Sequence, residues 1–389
     1  MRPTKIIYLD HAATTPPHQR VVELMNKLTQ KVWGNPSSVY THGKEAKKVL
    51  ENTRQKIAGL LGVKAGEIIF TGSGTESDNM AILGTARAHQ KHGRHVIISA
   101  IEHLAVLKAG QWLEKEGFQV TYLPVNSNGI VNPEDLKNAL RKDTILISLM
   151  QANNEIGTIQ PVKEVAEIVR QWRKKHRQEW PFLHTDACQG AGYLSIQPHG
   201  LGVDLLTING SKIYGPKGVG ILYKKNSLQL EPMLVGGSQE NGWRAGTENV
   251  ALAAGMALAL EIAEQEKNKE VRRLTALRGG LIKNILKEIP ETKLNGDTKK
   301  RLPNNINLSF QGVDGEMLVL ALNQRGVEVS TGSACTTAET GPSHVLKAIG
   351  SSNGWGNIRI TLGRETTRLE LKKTLVVLKK EVDRLRSMV

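Results

Sequence analysis

Between residues 68 and 222, short apolar runs alternate with longer stretches of helical period. This alternation limits the fold more than any other feature of the chain. Runs at 68–70, 96–98, 120–123, 144–150, 182–185, 203–208 and 219–222 read as strands. Between them, 75–88, 105–115 and 162–177 have helical periodicity, and Asn132 followed by Pro133 marks a further helix start. The run 144–150 is continuously apolar, as in strands buried on both faces. The pattern predicts a mostly parallel sheet covered by helices, an α/β fold. After Thr247 the character changes. Two helices are expected at 250–267 and 271–288, then strands at 306–310, 327–329 and 358–360, and a closing helix over 365–386. This reads as a smaller α+β domain.

The chain has 389 residues, enough for two domains or one large domain with a smaller companion. No apolar run is long enough to span a bilayer. The start, Met1-Arg2-Pro3-Thr4-Lys5, lacks the apolar segment and cleavage site of a secretory signal, which points to the cytoplasm. Two cysteines, Cys188 and Cys335, make no disulfide framework and no zinc pair. The formal charge of +15 would attract an anionic partner. Its basic residues are scattered, however, and aromatics are 4% of the chain, so a direct nucleic-acid-binding function is not indicated.

Polar residues gather where the strands of the alternating region end. After 68–70 comes Thr71-Gly72-Ser73-Gly74-Thr75, a small-residue turn into a helix. Such a turn can bring backbone N–H groups to a phosphate, or serve only as a turn. It is neither a Walker loop nor a dinucleotide fingerprint. After 96–98 comes His103; after 144–150 come Asn153 and Asn154; after 182–185 come Asp186 and Gln189. Each also has a structural reading: a loop histidine, an Asx turn, a helix N-cap. After 203–208 comes Lys212, a loop lysine or one desolvated for Schiff-base chemistry. An anion site, a ring-facing histidine, a carboxylate and a lysine at one sheet edge suggest pyridoxal phosphate. Far downstream, Cys335 lies in a run of small residues, as an accessible thiol or a small buried residue.

Several motifs, in order along the whole chain, resemble the cysteine desulfurases of the NifS/IscS type, within the aspartate aminotransferase-like (fold-type-I) pyridoxal phosphate enzymes. They are Tyr8-Leu9-Asp10-His11-Ala12-Ala13-Thr14-Thr15-Pro16, Gly34-Asn35-Pro36-Ser37-Ser38, Thr75-Glu76-Ser77-Asp78-Asn79, Asn153-Asn154-Glu155-Ile156-Gly157, Lys212-Ile213-Tyr214-Gly215-Pro216-Lys217-Gly218, Gly332-Ser333-Ala334-Cys335 and Ile358-Arg359. The Gly-Ser-Ala-Cys stretch resembles the first group of the family, with the longer cysteine loop, rather than the SufS group. The resemblance implies a seven-stranded, mostly parallel sheet in a large domain over 15–258. A small domain would combine 1–14 with 259–389 and carry the cysteine loop.

It also implies the following roles. Lys212 is the Schiff-base lysine and moves the Cα proton. Asp186 faces the pyridinium nitrogen, Gln189 the ring hydroxylate, and His103 the ring. Gly74 and Thr75 lie at the phosphate, with Asn209 and Ser211 near it. Thr247 reaches the phosphate of a second subunit, so a homodimer is implied. Asn154 orients cofactor and substrate, and Arg359 clamps the substrate carboxylate. Cys335 attacks the sulfur of L-cysteine, is left as a persulfide and passes sulfur to an acceptor protein, a scaffold or a sulfurtransferase. No resident metal is implied, although Cys335 could transiently ligate a cluster iron. A selenocysteine lyase is the nearest alternative.

Two departures stand out. Where the family has Ser-x-His-Lys, this chain has Asn209-Gly210-Ser211-Lys212, without the imidazole. Cofactor binding is expected to persist, in weaker form. The sequence also stops at Val389, soon after the expected last helix, so the resemblance supports desulfurase activity further than it supports docking of an iron–sulfur scaffold.

Overall fold

A computed structural model describes residues 6–331, 343–351 and 354–388. It opens with β1 (Ile7–Tyr8). The next seven strands are β2 (Ile68–Thr71), β3 (His95–Ser99), β4 (Gln119–Leu123), β5 (Thr144–Ser148), β6 (Phe182–Asp186), β7 (Leu205–Asn209) and β8 (Gly220–Lys224). They form one sheet in the order β2-β8-β7-β6-β5-β3-β4. Neighbours run parallel except around β8, which is antiparallel to both β2 and β7. The predicted seven-stranded, mostly parallel sheet is therefore present.

The residues explain why this sheet lies inside. β3, β5, β6 and β8 are buried along their whole length. Alternate side chains go to opposite faces, so each strand feeds two cores. Ile97, Ile147, Leu183 and Leu206 pack with Leu50, Val165 and Met256 from helices on one side. Val96, Ile98, Leu146 and Leu205 pack with Ile82, Val106 and Leu113 on the other. The helical segment after β2 holds a π turn, Met80–Gly84, between Gly74–Asn79 and Thr85–His89. A Cβ on Gly84 would meet the Glu231 carbonyl oxygen at 2.9 Å, so the chain passes closely there.

Two boundaries differ from expectation. The stretch 250–288 is one helix, Val250–Glu288, of 39 residues, rather than two. Its polar middle, Gln265 to Asn268, holds no glycine or proline, and a polar turn does not stop a helix. The first half packs through Ala253 and Met256 on the sheet, the second through Leu274, Leu281 and Ile285 on another core. The last helix begins at Arg368, not at 365, because Thr367 and Glu370 form a capping box.

That other core is built by β9 (Thr292–Leu294), β10 (Asn305–Gln311), β11 (Val327–Glu328) and β12 (Trp355–Thr361). β12, β10 and β9 form an antiparallel sheet, and β1 pairs in parallel with β11. Leu308, Phe310, Ile358 and Ile360 meet Leu378 and Val382 of the last helix. The N-terminal segment packs here through Leu9 and then crosses to the large sheet, where the Thr15 N–H donates to the Ser211 carbonyl at 2.9 Å. Among the described residues no helix is long and apolar enough to cross a membrane.

Phe310 is fully buried at the centre of the smaller sheet. Phe310→Ala should cost about 3–5 kcal/mol of stability through the cavity it leaves, measured as a lower midpoint in urea unfolding.

Candidate active site

Parallel strands bring their carboxyl ends to one edge, where ligands of such sheets are met. There the sequence supplies a turn or a cap after each strand. Ser73 caps the helix that follows β2, its Oγ accepting from the Glu76 N–H at 3.1 Å. This exposes the first N–H groups of the turn at Gly74 and Thr75. His103 caps the helix Leu104–Lys115, its Nδ1 accepting from the Ala105 N–H at 3.1 Å. That bond assigns the ring's other proton to Nε2 in the neutral form. Asn209 caps the short turn that ends in Lys212, its Oδ1 accepting from the Ser211 N–H at 3.2 Å.

These ends enclose a cavity of about 280 Å³. Its walls include Gly74, Thr75, His103, Asn154, Asp186, Gln189, Asn209, Lys212 and Arg359. The two candidate asparagines divide their work. Asn153 is consumed by the backbone: its Oδ1 takes the Glu155 and Ile156 N–H groups at 2.9 Å each, and its Nδ2 donates to the Ile101 carbonyl at 2.8 Å. Asn154 is left at the cavity. Asp186 also has a turn role, accepting the Cys188 N–H at 2.8 Å.

Ser211, expected near the phosphate, does not line the cavity, and Thr247, expected at the site of a second subunit, lies outside it. Ser211 is buried beside it, its Oγ donating to Asn209 Oδ1 at 3.3 Å. Thr247 is exposed and lines a separate hollow with Arg244 and Gly72. Cys335 lies outside the described residues. Conversely, Asp78, Glu155, Cys188 and His344 line the cavity without having been singled out for it. Asp78 had a readable signal, since it falls one helical turn after Thr75 and shares its face. His344 had none; only the tertiary fold brings the helix His344–Ala348 here, with its Nε2 and the Glu102 carbonyl oxygen 3.0 Å apart. The N-terminal segment was also missed. The Ala13 carbonyl accepts from Lys212 Nζ at 2.5 Å, and the Ala12 carbonyl accepts from Gln189 Nε2 at 3.0 Å.

Buried carboxyls dominate the electrostatics. Burial, reinforced by the Asp186 charge, pushes the Asp78 carboxyl well above the usual range. Burial lifts Glu102 to about 8, and its Oε2 has no hydrogen-bond partner. It lifts Glu155 to about 7 against the Ser343 hydroxyl, which donates to Glu155 Oε2 at 2.5 Å. Burial lowers His103, against the pull of Asp186, and raises the Cys188 thiol. Asp78 is thus pushed toward its neutral form beside Asp186.

This donor set fits pyridoxal phosphate. A carboxylate at the cavity wall suits a protonated ring nitrogen, and Gln189 Nε2 suits an oxygen on the ring. Lys212 supplies the amine. Gly74 leaves room for the phosphate end: a Cβ there would press on Cys188 Sγ at 3.0 Å and on Asn209 Cβ at 3.2 Å. The first N–H groups of the helical turn favour an anion at that spot. Among the described residues, no group of three His, Cys, Asp or Glu could hold a metal ion.

Gly74→Ala should weaken cofactor binding by roughly 1–3 kcal/mol, the usual cost of overpacking, read from a titration of the cofactor's absorption. A second expectation concerns pH. The Glu102 carboxyl holds its proton longer in the folded chain than its usual value of 4.5 allows. Stability from that proton is complete below about 4.5 and is lost as pH rises through about 8. Glu102→Gln should therefore flatten the fall in melting temperature between about pH 5 and about pH 8.

The sequence pattern of the aminotransferase class-V family matches residues 7–373. A protein of Dictyoglomus turgidum named cysteine desulfurase IscS is 50% identical over 383 residues, covering 98% of this chain and 95% of that protein. A solved structure titled NifS-like protein superposes with a TM-score of 0.90 at 36% identity, over 99% of this chain and all of that one. Another, titled SspA in complex with cysteine, gives 0.78 at 32% identity, over 91% of this chain and 98% of that one.

Proposed function

The chain belongs to the aminotransferase class-V family, and we propose that it is a cysteine desulfurase that takes sulfur from L-cysteine and releases L-alanine. The observation that carries this reading is the likeness to a desulfurase at 50% identity over nearly the whole chain. The cavity joining Lys212, Asp186, Gln189, His103 and Arg359 agrees with it. When bound, pyridoxal phosphate supplies an aldehyde for amines and a ring that withdraws electrons from the amino acid Cα.

The chain's own residues then have distinct tasks. Asp186 would hold the proton at the ring nitrogen, and Gln189 would donate to the ring oxygen. Gly74, Thr75 and Asn209 would hold the phosphate, with Ser211 supporting Asn209 through its hydroxyl. His103, on the cavity wall, would meet the ring. Lys212, on the cavity wall, would take and return the Cα proton. Arg359 and Asn154 orient the substrate through its carboxylate. The Cys335 thiolate attacks the substrate sulfur; the C–S bond breaks, its electron pair stays with carbon, and protonation there gives alanine. Cys335 is left as a persulfide, which an acceptor thiol can take. Iron–sulfur assembly and tRNA thiolation are the kinds of process that consume such sulfur. Thr247, exposed and outside this cavity, is free to serve the site of a second subunit in a homodimer.

The test compares wild type with two variants. Cys335→Ser should keep the cofactor's absorption and lose alanine production from L-cysteine by about 10³-fold or more, the scale of losing a nucleophile. Lys212→Ala should lose both the absorption of the lysine-bound cofactor and turnover. Full activity of Cys335→Ser would overturn the persulfide route.

A further inference from the structure

Arg359 is the residue expected to receive the substrate carboxylate, yet it is already held from two sides. Its Nη2 donates to Asp10 Oδ1 at 2.7 Å and its Nη1 to the Asn154 carbonyl oxygen at 3.0 Å. The pair is deeply placed, with 4% of the Arg359 side chain and 16% of the Asp10 side chain exposed. Arg359 Nε is buried with no hydrogen-bond partner. A guanidinium carries five N–H donors, so these two bonds leave Nη hydrogens for one further carboxylate.

Asp10 is itself held by several bonds. It pairs with Thr361, two residues beyond Arg359 on β12. The Thr361 N–H donates to the Leu9 carbonyl at 2.7 Å, and the Ala12 N–H donates to Thr361 Oγ1 at 2.9 Å. The Tyr8 hydroxyl reaches the carbonyls of Asp10 at 2.9 Å and Thr14 at 2.8 Å, closing the turn. Asp10 and Arg359 are thus braced on one frame. A buried guanidinium without a counter-ion would be costly and would drift toward other acceptors. Glu155, whose charge acts on Arg359, is itself pushed toward neutrality and is engaged by Ser343.

We propose that Asp10 is a positioning residue of the substrate site, whose carboxylate fixes the Arg359 guanidinium so that its remaining N–H groups meet the α-carboxylate of the amino acid. Asp10 touches neither substrate nor cofactor; it acts through Arg359. Planar, bidentate recognition depends on the orientation of the fork, and an anchor on one Nη sets that plane before substrate arrives. The proposal rests on the desulfurase reading for the identity of the substrate, but not for the binding of a carboxylate.

The test uses the cofactor-loaded protein and the variants Asp10→Ala and Asp10→Asn. Asp10→Ala should raise KM for L-cysteine about tenfold or more, with kcat altered less than about threefold and the cofactor's absorption unchanged. Asparagine keeps an acceptor oxygen at that position, so Asp10→Asn should recover most of the affinity and leave a rise of about threefold. Binding of L-alanine, followed by the shift it causes in the cofactor's absorption, should weaken in the same order. This binding is measured without turnover. An unchanged KM and unchanged alanine binding in Asp10→Ala would overturn the proposal. So would tighter binding, which would make Asp10 a competitor of the substrate, or a loss confined to kcat. If Asp10→Ala does not fold, Asp10→Asn decides: wild-type affinity there overturns the proposal. Wild-type protein that binds alanine but makes none from L-cysteine would instead overturn the desulfurase reading and leave this one standing.

Discussion

A parallel sheet covered on both faces leaves one main place for polar chemistry, the edge where its strands run out of hydrogen-bond partners. β3, β5, β6 and β7 deliver His103, Asn154, Asp186 and Lys212 to that edge, because each strand is followed at once by a turn or cap. The apolar runs that bury the strands also fix the register, since a slip of one residue would send each side chain to the other face. The site depends on the core for that reason. His103, Asp186 and Asn209 each hold a backbone N–H of their own turn and also line the cavity.

The second body of the molecule joins the site through Arg359 on β12, through His344 and through the N-terminal segment. Between Asp10 and Thr15 the chain bonds Arg359, Gln189, Lys212 and Ser211 in turn. Gln189 and Lys212 donate to backbone carbonyls of this segment, those of Ala12 and Ala13. The 39-residue helix gives the same connection a rigid axis, since one half lies in each core. The two cores therefore hold the cavity between them.

Desolvation sets the charge of the site. Asp78, Glu102 and Asp186 could not all remain charged so near one another away from water. Burial and the Asp186 charge drive Asp78 toward its neutral form, and burial does the same to Glu102. His103 is pushed the same way, toward the uncharged ring that its cap bond already favours.

The sequence by itself determined the sheet, most of its helices and the strand-end residues, because apolar period and turn chemistry are local. It also pointed to Lys212, His103, Asp186, Gln189 and Arg359, through motifs whose order survives along the chain. It divided the helix Val250–Glu288 in two because a polar turn resembles a break when its packing cannot be seen. Only the tertiary structure showed that Asn153 serves the backbone while Asn154 faces the cavity, that Asp78 and His344 belong to the walls, and that Ser211 does not. It alone placed Asp10 against Arg359, 349 residues away. Long-range pairing leaves no periodic trace in either partner. It is decided when β12 and the N-terminal turn meet and a buried charge must find its counter-ion.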